Sequence, residues 1–251
     1  MSSTSTDKIL DTQTTAKTQL LVPIYNEGEN VLKLYQELVA AKVEFDELKF
    51  VYDYDGDSTL PFIAELQQKD GRVVADKNCF GRGVINALTW GFAHCSPGPV
   101  IVIMGDNSDK LEVIPAMVEL WKNGTSVVCP SRYMKGGKQH GGGLIKSNMS
   151  RIACISLRLL GFPTTDATNN FKLYDGAWLK KQKIESIGGF EVAIELCYLA
   201  YMQGLVINEL PSEWRDRTQG KSNFKLMAWT PKYLYWYLKI LAEIIKKKIS
   251  S

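Results

Sequence analysis

Short apolar runs alternate with amphipathic segments along most of this chain. A run of about four to eight apolar residues is typical of a buried parallel strand, and apolar residues that recur every three or four positions are typical of a helix. The pattern predicts strands at residues 19–24, 48–52, 72–75, 100–104, 125–130, 170–174 and 205–210. It predicts helices at residues 31–39, 61–68, 84–94, 112–122, 145–160 and 191–202.

This alternation predicts an α/β fold. Helices that connect successive strands by right-handed crossovers give a mainly parallel, doubly wound sheet with helices on both faces. A chain of 251 residues with 45% hydrophobic content is long enough for one such domain, which we place at residues 19–226. Residues 1–18 are polar and expected to be disordered, and residues 227–251 are expected to form an amphipathic helix.

Charge and cysteine usage exclude several classes of function. The 30 basic residues exceed the 27 acidic ones by only three, so bulk charge does not favour nucleic-acid binding. Five cysteines without a C-x-x-C pair, and two histidines, argue against a zinc site or a disulfide framework. The N-terminal segment lacks the apolar core of a signal peptide, so we expect a reducing, cytoplasmic location.

Acidic residues follow three of the predicted strands. Asp106 and Asp109 follow the strand that begins at Val100, Glu27 follows the first strand, and residues 53–57 follow the second. In an open parallel sheet, ligands bind at the carboxyl ends of strands, so the three segments should converge on one crevice. Carboxylates placed there can hold a hard divalent cation and, through it, a diphosphate.

The C-terminal segment, residues 229–248, is aromatic and apolar on one side and basic at its end. Its interrupting charges make it a poor membrane-spanning helix. One interpretation is an interfacial helix on a membrane surface, with its aromatic rings, Trp229, Tyr233, Trp236 and Tyr237, at headgroup depth. The other is a helix that packs its aromatic face on the domain or on a second subunit of a homo-oligomer.

Six segments in a fixed order carry a family resemblance. They are VPIYNE ending at Glu27, Asp53 in its acidic loop, MGD ending at Asp106, PSRY ending at Tyr133, DATNNFKLY ending at Tyr174, and RTQGKS ending at Ser222. The chain in this respect resembles the family 2 glycosyltransferases of the GT-A fold. Within them it is most similar to the polyprenyl-phosphate sugar synthases, of which dolichol-phosphate mannose synthase is one.

The resemblance implies a site for a nucleotide-sugar donor. The family residues that hold the base and ribose match Pro23, Tyr25, Glu27 and Asp53. A family residue that contacts the diphosphate matches Arg217. The family lysine a few residues later is Asn223 in this chain, and the nearby Lys221 is the candidate substitute. Asp106 matches the second carboxylate of the family's Asp-x-Asp motif for Mg²⁺ or Mn²⁺. Met104 stands at the first position of that motif, and Asp109 is the candidate replacement ligand.

The resemblance also implies an acceptor site. Arg132, Lys146 and Ser150 match the family pocket for a lipid phosphate, with lysine at a position where many members have arginine. The implied reaction moves a sugar from its nucleotide to a polyprenyl phosphate with inversion. Two alternatives stay open: transfer to a saccharide hydroxyl, for which Asp166 is the candidate catalytic base, and a non-catalytic sugar-nucleotide-binding protein.

Overall fold

The computed structural model describes residues 16–216 and 226–249. Its first half contains β1 (Gln19–Pro23), α1 (Asn30–Ala40), β2 (Glu47–Tyr52), α2 (Leu60–Lys69), β3 (Val73–Lys77), α3 (Val84–Ala93), β4 (Pro99–Val102), a short 3-10 turn (Leu111–Val113), α4 (Ile114–Lys122) and β5 (Val127–Ser131). Its second half contains β6 (Lys138–His140), α5 (Leu144–Leu160), β7 (Lys172–Asp175), α6 (Gly176–Leu179), α7 (Val192–Met202), β8 (Ile207–Pro211), β9 (Glu213–Arg215) and α8 (Leu226–Ile249).

A seven-stranded sheet forms the centre of the domain, in the order β3-β2-β1-β4-β7-β5-β8. Strand β7 runs antiparallel to both of its neighbours, and the other pairs are parallel. The predicted α/β class and the mainly parallel sheet are therefore confirmed. Because β1, β2 and β4 are parallel neighbours, their carboxyl ends meet at one edge of the sheet, where ligand sites of such sheets lie.

Two apolar cores cover the two faces of this sheet. Successive residues of a strand point to opposite faces, so Leu20 and Val22 enter one core while Leu21 enters the other. The strand at Val100 divides in the same way, with Val100 and Val102 on one face and Ile101 on the other. Burial on both faces explains why these strands have continuous apolar sequences.

A second, two-stranded sheet was not predicted from the sequence. Strands β6 and β9 pair in parallel, within segments that the sequence pattern indicated to be loops. The main chain of Arg215 donates to the carbonyl of Ser108 (2.8 Å), and that of Asp216 donates to the carbonyl of His140 (2.9 Å). The β6–β9 ribbon thus ties the acidic loop after β4 to the segment that leads into α5.

Helix α8 packs one face on the domain. Trp236, Ile240 and Ile244 are buried in the core shared with α7, and Tyr233 and Tyr237 pack against that core. Of the two interpretations of the C-terminal segment, packing on the domain is therefore the one that holds for these aromatic residues. The side chain of Trp229 lies outside the described residues. In the described part of the chain, no helix combines the length and apolarity that a membrane crossing requires.

Candidate functional site

A cavity of about 1010 Å³ opens along the carboxyl edge of the sheet. Eight of the predicted site residues line it: Pro23, Tyr25, Glu27, Asp53, Asp106, Asp109, Arg132 and Ser150. Asp166 is not part of the cavity wall. Arg217 and Lys221 lie outside the described residues, as does the side chain of Lys146.

One end of the cavity presents a carboxylate held by main-chain and amide donors. Asp53 accepts hydrogen bonds from Asn78 Nδ2 (2.9 Å) and from the main-chain N–H of Gly83 (2.8 Å). Tyr25 is half exposed at this end, and its ring centroid lies 6.0 Å from that of Tyr54. A fixed carboxylate can accept hydrogen bonds from a nucleoside, and the half-exposed ring of Tyr25 beside it can stack on the base.

The loop that carries Tyr25 is held in place by Asp57 and Thr59, two buried residues that come directly before α2. Asn26 has a left-handed backbone (φ 54°), and its N–H donates to the buried carboxylate of Asp57 (3.0 Å). The hydroxyl of Thr59 accepts from the N–H groups of Glu27 (3.0 Å) and Gly28 (3.2 Å). The buried pair Asp57 and Thr59 therefore positions the residues predicted to hold the donor.

Arg82 also lines this end of the cavity and was not predicted as a site residue. Its guanidinium lies 4.9 Å from the ring centroid of Tyr54. Gly81 and Gly83 flank it with positive φ (103° and 119°), which lets the chain turn from β3 into α3. The glycine pair after a strand of a parallel sheet was the available signal, but as a dinucleotide fingerprint it failed because Asn86 occupies the third glycine position.

The loop after β4 brings two carboxylates to the middle of the cavity. Asp106 Oδ1 accepts from the main chain (3.2 Å) and the hydroxyl (2.7 Å) of Ser108. Asp109 Oδ1 accepts from Asn169 Nδ2 (3.1 Å), while its buried Oδ2 has no hydrogen-bond donor within the described residues. Burial, together with the charge of Asp106, raises the pKa of Asp109 to about 7.

Carboxylate oxygens such as those of Asp106 and Asp109 are the ligands that hard divalent cations take in proteins. Within residues 16–216 and 226–249, no cluster of three or more His, Cys, Asp or Glu side chains could hold a metal by itself. The unpartnered Oδ2 of Asp109, near the carboxylate of Asp106, is nevertheless the kind of buried oxygen that a cation would satisfy. Met104 also lines the cavity, so the position of the missing carboxylate faces the same space.

A cationic cluster lies farther along the cavity. Arg132 lines the wall, and its Nη2 donates to the hydroxyl of Thr168 (3.2 Å). That hydroxyl lies 2.7 Å from the Ser150 hydroxyl, to which Tyr133 donates (3.2 Å). Burial raises the pKa of Tyr133 to about 12, so it is a neutral donor at physiological pH. A guanidinium beside a chain of hydroxyls is an arrangement that binds phosphate.

Asp166 lies behind Arg132 and is fully buried. Its carboxylate accepts from Nε (2.7 Å), Nη2 (2.8 Å) and the main-chain N–H (3.1 Å) of that arginine. Burial alone would raise the pKa of Asp166, but the charge and hydrogen bonds of Arg132 hold it below its usual value. A carboxylate that is enclosed and already paired is poorly placed to remove a proton from a substrate.

The cavity continues beyond the cationic cluster as an apolar arm between α5 and α8. Ala153 and Leu157 form its α5 wall, Tyr233 and Tyr237 its α8 wall, and Ile194 of α7 its floor. The hydroxyls of Ser156 and Tyr237 meet across the two helices (3.0 Å). The cavity thus combines an acidic end, a cationic middle and an apolar arm.

Comparison with known sequences reveals relatives of this chain. A dolichol-phosphate mannosyltransferase of Pyrococcus furiosus is 26% identical over 235 residues, which cover 92% of this chain and 64% of the relative. A bactoprenol glucosyl transferase of Shigella phage SfV is 34% identical over 123 residues, which cover 46% of this chain and 39% of the relative. The chain therefore spans less than two thirds of the length of either relative.

The fold has counterparts among solved structures. Glucosyl-3-phosphoglycerate synthase from Mycobacterium tuberculosis, in complex with Mn²⁺, uridine diphosphate and phosphoglyceric acid, superposes with a TM-score of 0.67. The match covers 96% of this chain and 84% of that one at 16% identity, which confirms the GT-A-like fold. The family model for glycosyl transferase family 2 matches residues 20–184. This chain therefore belongs to glycosyl transferase family 2.

Proposed function

We propose that this protein transfers a sugar from a nucleotide-sugar donor to a polyprenyl phosphate, with inversion at the anomeric carbon. The observation that carries the proposal is the continuity of the cavity. Its acidic end suits a nucleoside diphosphate with its cation, its cationic middle suits a phosphate, and its apolar arm suits a hydrocarbon chain. The names of the archaeal and phage relatives support the same substrate classes.

The donor would bind at the acidic end. Asp53 would accept hydrogen bonds from the nucleoside, and Tyr25 would contact its base, with Arg217 and Lys221 as predicted partners of the diphosphate. Asp106 and Asp109 would hold Mg²⁺ or Mn²⁺, which supplies charge neutralisation for the departing nucleoside diphosphate when bound. The presence of Mn²⁺ and uridine diphosphate in the mycobacterial structure is consistent with this arrangement.

The acceptor phosphate would bind at Arg132 and Ser150, with Lys146 as a further predicted contact. A phosphate monoester is an anion at neutral pH, so its oxygen is a nucleophile without a catalytic base. That oxygen would attack the anomeric carbon opposite the diphosphate; the new carbon–oxygen bond forms as the bond to the diphosphate breaks. The protein's task is to orient the two anions and to reduce their repulsion.

The second candidate acceptor is a saccharide hydroxyl, which would need a base to remove its proton. The pairing of Asp166 with Arg132 counts against the residue predicted for that role.

The discriminating experiment measures nucleotide release from a panel of sugar nucleotides with Mg²⁺ or Mn²⁺, in the presence of either polyprenyl phosphate or oligosaccharides. We expect release to depend on the lipid phosphate. Release that depends on a saccharide, or calorimetric donor binding without release on any acceptor, would contradict the proposal.

We further propose that the protein is a peripheral membrane protein whose α5 and α8 contact an anionic bilayer. The outward face of α8 is an apolar stripe that includes Leu234, Leu238, Ile245 and Ile249, all of which are exposed. Exposed apolar residues of α5, Ile152 among them, border the mouth of the apolar arm. This stripe is opposite to the aromatic face that the sequence suggested for lipid contact.

Charge favours a bilayer over a second copy of the chain. Helices α5 and α8 contain eight basic residues and one acidic residue, whereas the whole chain has a net charge of only +3. The rest of the chain is therefore negative, and the excess of basic residues lies on the two helices that carry the exposed apolar side chains. Anionic lipid attracts such a surface, whereas a second copy would bring like charges together.

Vesicle flotation tests this contact. We expect the protein to float with vesicles of phosphatidylcholine and phosphatidylglycerol, and Leu238→Glu/Ile245→Glu to remain unbound. Val39→Glu is the matched control, because Val39 is a similarly exposed apolar residue (58%, against 51% for Leu238) on α1. Equal flotation of the double variant, or a concentration-dependent dimer that the double variant abolishes, would contradict a bilayer as the partner.

A further inference from the structure

The geometry of the cationic cluster assigns a positioning role to Asp166, and we propose that it fixes the guanidinium of Arg132 for the acceptor phosphate rather than acting as a base. This inference rests on the proposed function, since it names how that site recognises its phosphate. It concerns a residue that does not touch the substrate. Its evidence lies in the hydrogen bonds, burial and charges around the carboxylate.

The carboxylate of Asp166 makes a bidentate contact with Arg132. Oδ2 accepts from Nε at 2.7 Å and Oδ1 accepts from Nη2 at 2.8 Å, which fixes the plane of the guanidinium. Oδ2 also accepts from the main-chain N–H of the same residue, so side chain and backbone are held together. The contact leaves Nη1 as the guanidinium nitrogen without a hydrogen bond to the described residues, and therefore as the nitrogen available to a ligand.

The loop around Asp166 is itself fixed. Its N–H donates to the Thr164 hydroxyl (3.1 Å), and the carboxylate of Glu209 accepts from the main chain (2.6 Å) and hydroxyl (2.7 Å) of Thr165. The side chain of Asp166 has no exposed surface and does not reach the cavity. A group in this place can hold another residue, but it cannot reach an acceptor without breaking its contacts.

Lys172 adds a second buried cation. Its Nζ donates to the carbonyl of Asp166 (3.0 Å) and to that of Asn169, and its side chain is fully buried. The charges of Arg132 and Lys172 both lower the pKa of Asp166, so its carboxylate stays ionised as the partner of the guanidinium.

The hydroxyls of the cavity wall connect the pair to the predicted acceptor site. Thr168 accepts from Arg132, donates to Asp166 Oδ1 (3.3 Å) and contacts the hydroxyl of Ser150 (2.7 Å). Asp166 thus orients two groups of the acceptor pocket through a single carboxylate. Loss of its charge would release both groups while leaving the donor end unchanged.

Two measurements on Asp166→Asn separate positioning from base catalysis: the Kd for a short-chain polyprenyl phosphate, by calorimetry, and the pH profile of kcat. We expect the Kd and the acceptor KM to rise at least about tenfold, since a charge-assisted contact is disturbed. The donor KM should stay within about threefold, and the kcat profile should keep its shape. Unchanged phosphate affinity with a loss of kcat of about a hundredfold or more, as for a missing base, would overturn the proposal.

A matched control is the pair Asp70–Arg72, which has the same bidentate geometry (2.9 and 2.7 Å) outside the cavity. Asp70→Asn should leave phosphate binding unchanged, and denaturation of each variant measures the cost to stability. If Asp166→Asn does not fold, Asp166→Glu, which keeps the charge but displaces it, should still weaken phosphate binding, and unchanged binding would overturn the role.

The calorimetric arm also keeps this proposal distinct from the proposed function. If the wild type binds the lipid phosphate without transferring sugar to it, the proposed function fails while the positioning role is still decided by the Kd of Asp166→Asn. If the wild type does not bind the phosphate at all, both fail.

If Arg132→Lys abolishes the effect of Asp166→Asn on the Kd, Asp166 acts through the arginine; additive effects would contradict that.

Discussion

At the scale of single residues, the proposed role of Asp106 in binding the donor's cation is the one that a substitution tests most strictly. Asp106 stands at the carboxyl end of β4, lines the cavity and is the remaining carboxylate of a motif whose first position is Met104. We expect Asp106→Asn to lower the rate of nucleotide release by about a hundredfold or more, because the proposed cation site would lose a charged ligand.

The control for this variant is Asp55→Asn, since Asp55 is a solvent-exposed carboxylate of the same acidic face that lies outside the cavity wall. It should retain wild-type turnover. Equal turnover for Asp106→Asn and the wild type, at saturating Mg²⁺ or Mn²⁺, would remove Asp106 from the metal site.

We expect Asp109 to make the stability of the protein depend on pH. The pKa of Asp109 is about 7 in the folded protein and near 4 in the unfolded chain, so the unfolded chain releases this proton first as the pH rises. Without metal, folded stability should therefore decrease between pH 5 and pH 8, by about 2 to 3 kcal/mol from this group.

Urea unfolding in the presence of a chelator tests this decrease. Asp109→Asn should lack that part of the decrease, and Mn²⁺ should stabilise the wild type at pH 8 but stabilise the variant less. The same pH dependence in both proteins would show that the carboxylate is not buried as described.

At the scale of elements, the sequence predicted the sheet well and the ribbon not at all. Strands such as β4 are apolar on both faces, which is a strong signal for a buried parallel strand. Strands β6 and β9 have three residues each, too few for an alternating pattern, and only tertiary pairing defines them.

The orientation of α8 was ambiguous for another reason: its two opposite faces are both apolar, so periodicity does not say which one the domain covers.

The turn between β5 and β6 offers a test of how the fold supports Arg132. A Cβ added at Gly137 would lie 2.3 Å from the carbonyl oxygen of Ser131 and 2.8 Å from the carbonyl carbon of Arg132. We expect Gly137→Ala to displace this backbone, to cost about 1–3 kcal/mol of stability and to raise the acceptor KM.

Gly71→Ala is the control, because nothing lies within 4 Å of a Cβ added there. Thermal denaturation and acceptor kinetics should distinguish the two variants. A Gly137→Ala protein with wild-type stability and acceptor KM would mean that this turn does not constrain the arginine.

At the scale of the whole molecule, the features of the site come from segments far apart in sequence. The acidic end of the cavity was predictable because parallel strands bring their carboxyl ends together, so Glu27, Asp53 and Asp106 had to converge. The pairing of Asp166 with Arg132 was not predictable, because the two residues are 34 positions apart and the sequence does not show that the carboxylate is buried. Arg82 was missed for a related reason: its role depends on a loop whose position only the folded sheet defines.

The continuous cavity and the cationic cluster within it lead to one central claim, that the acceptor is a phosphate attached to a hydrocarbon chain. The most direct test is sugar transfer to a polyprenyl phosphate compared with the polyprenol of the same chain length, with a panel of sugar nucleotides and detection of the lipid product by mass spectrometry. We predict a glycosylated lipid phosphate and no product from the alcohol. Equal transfer to the alcohol, or transfer to a saccharide but not to the lipid phosphate, would contradict the claim.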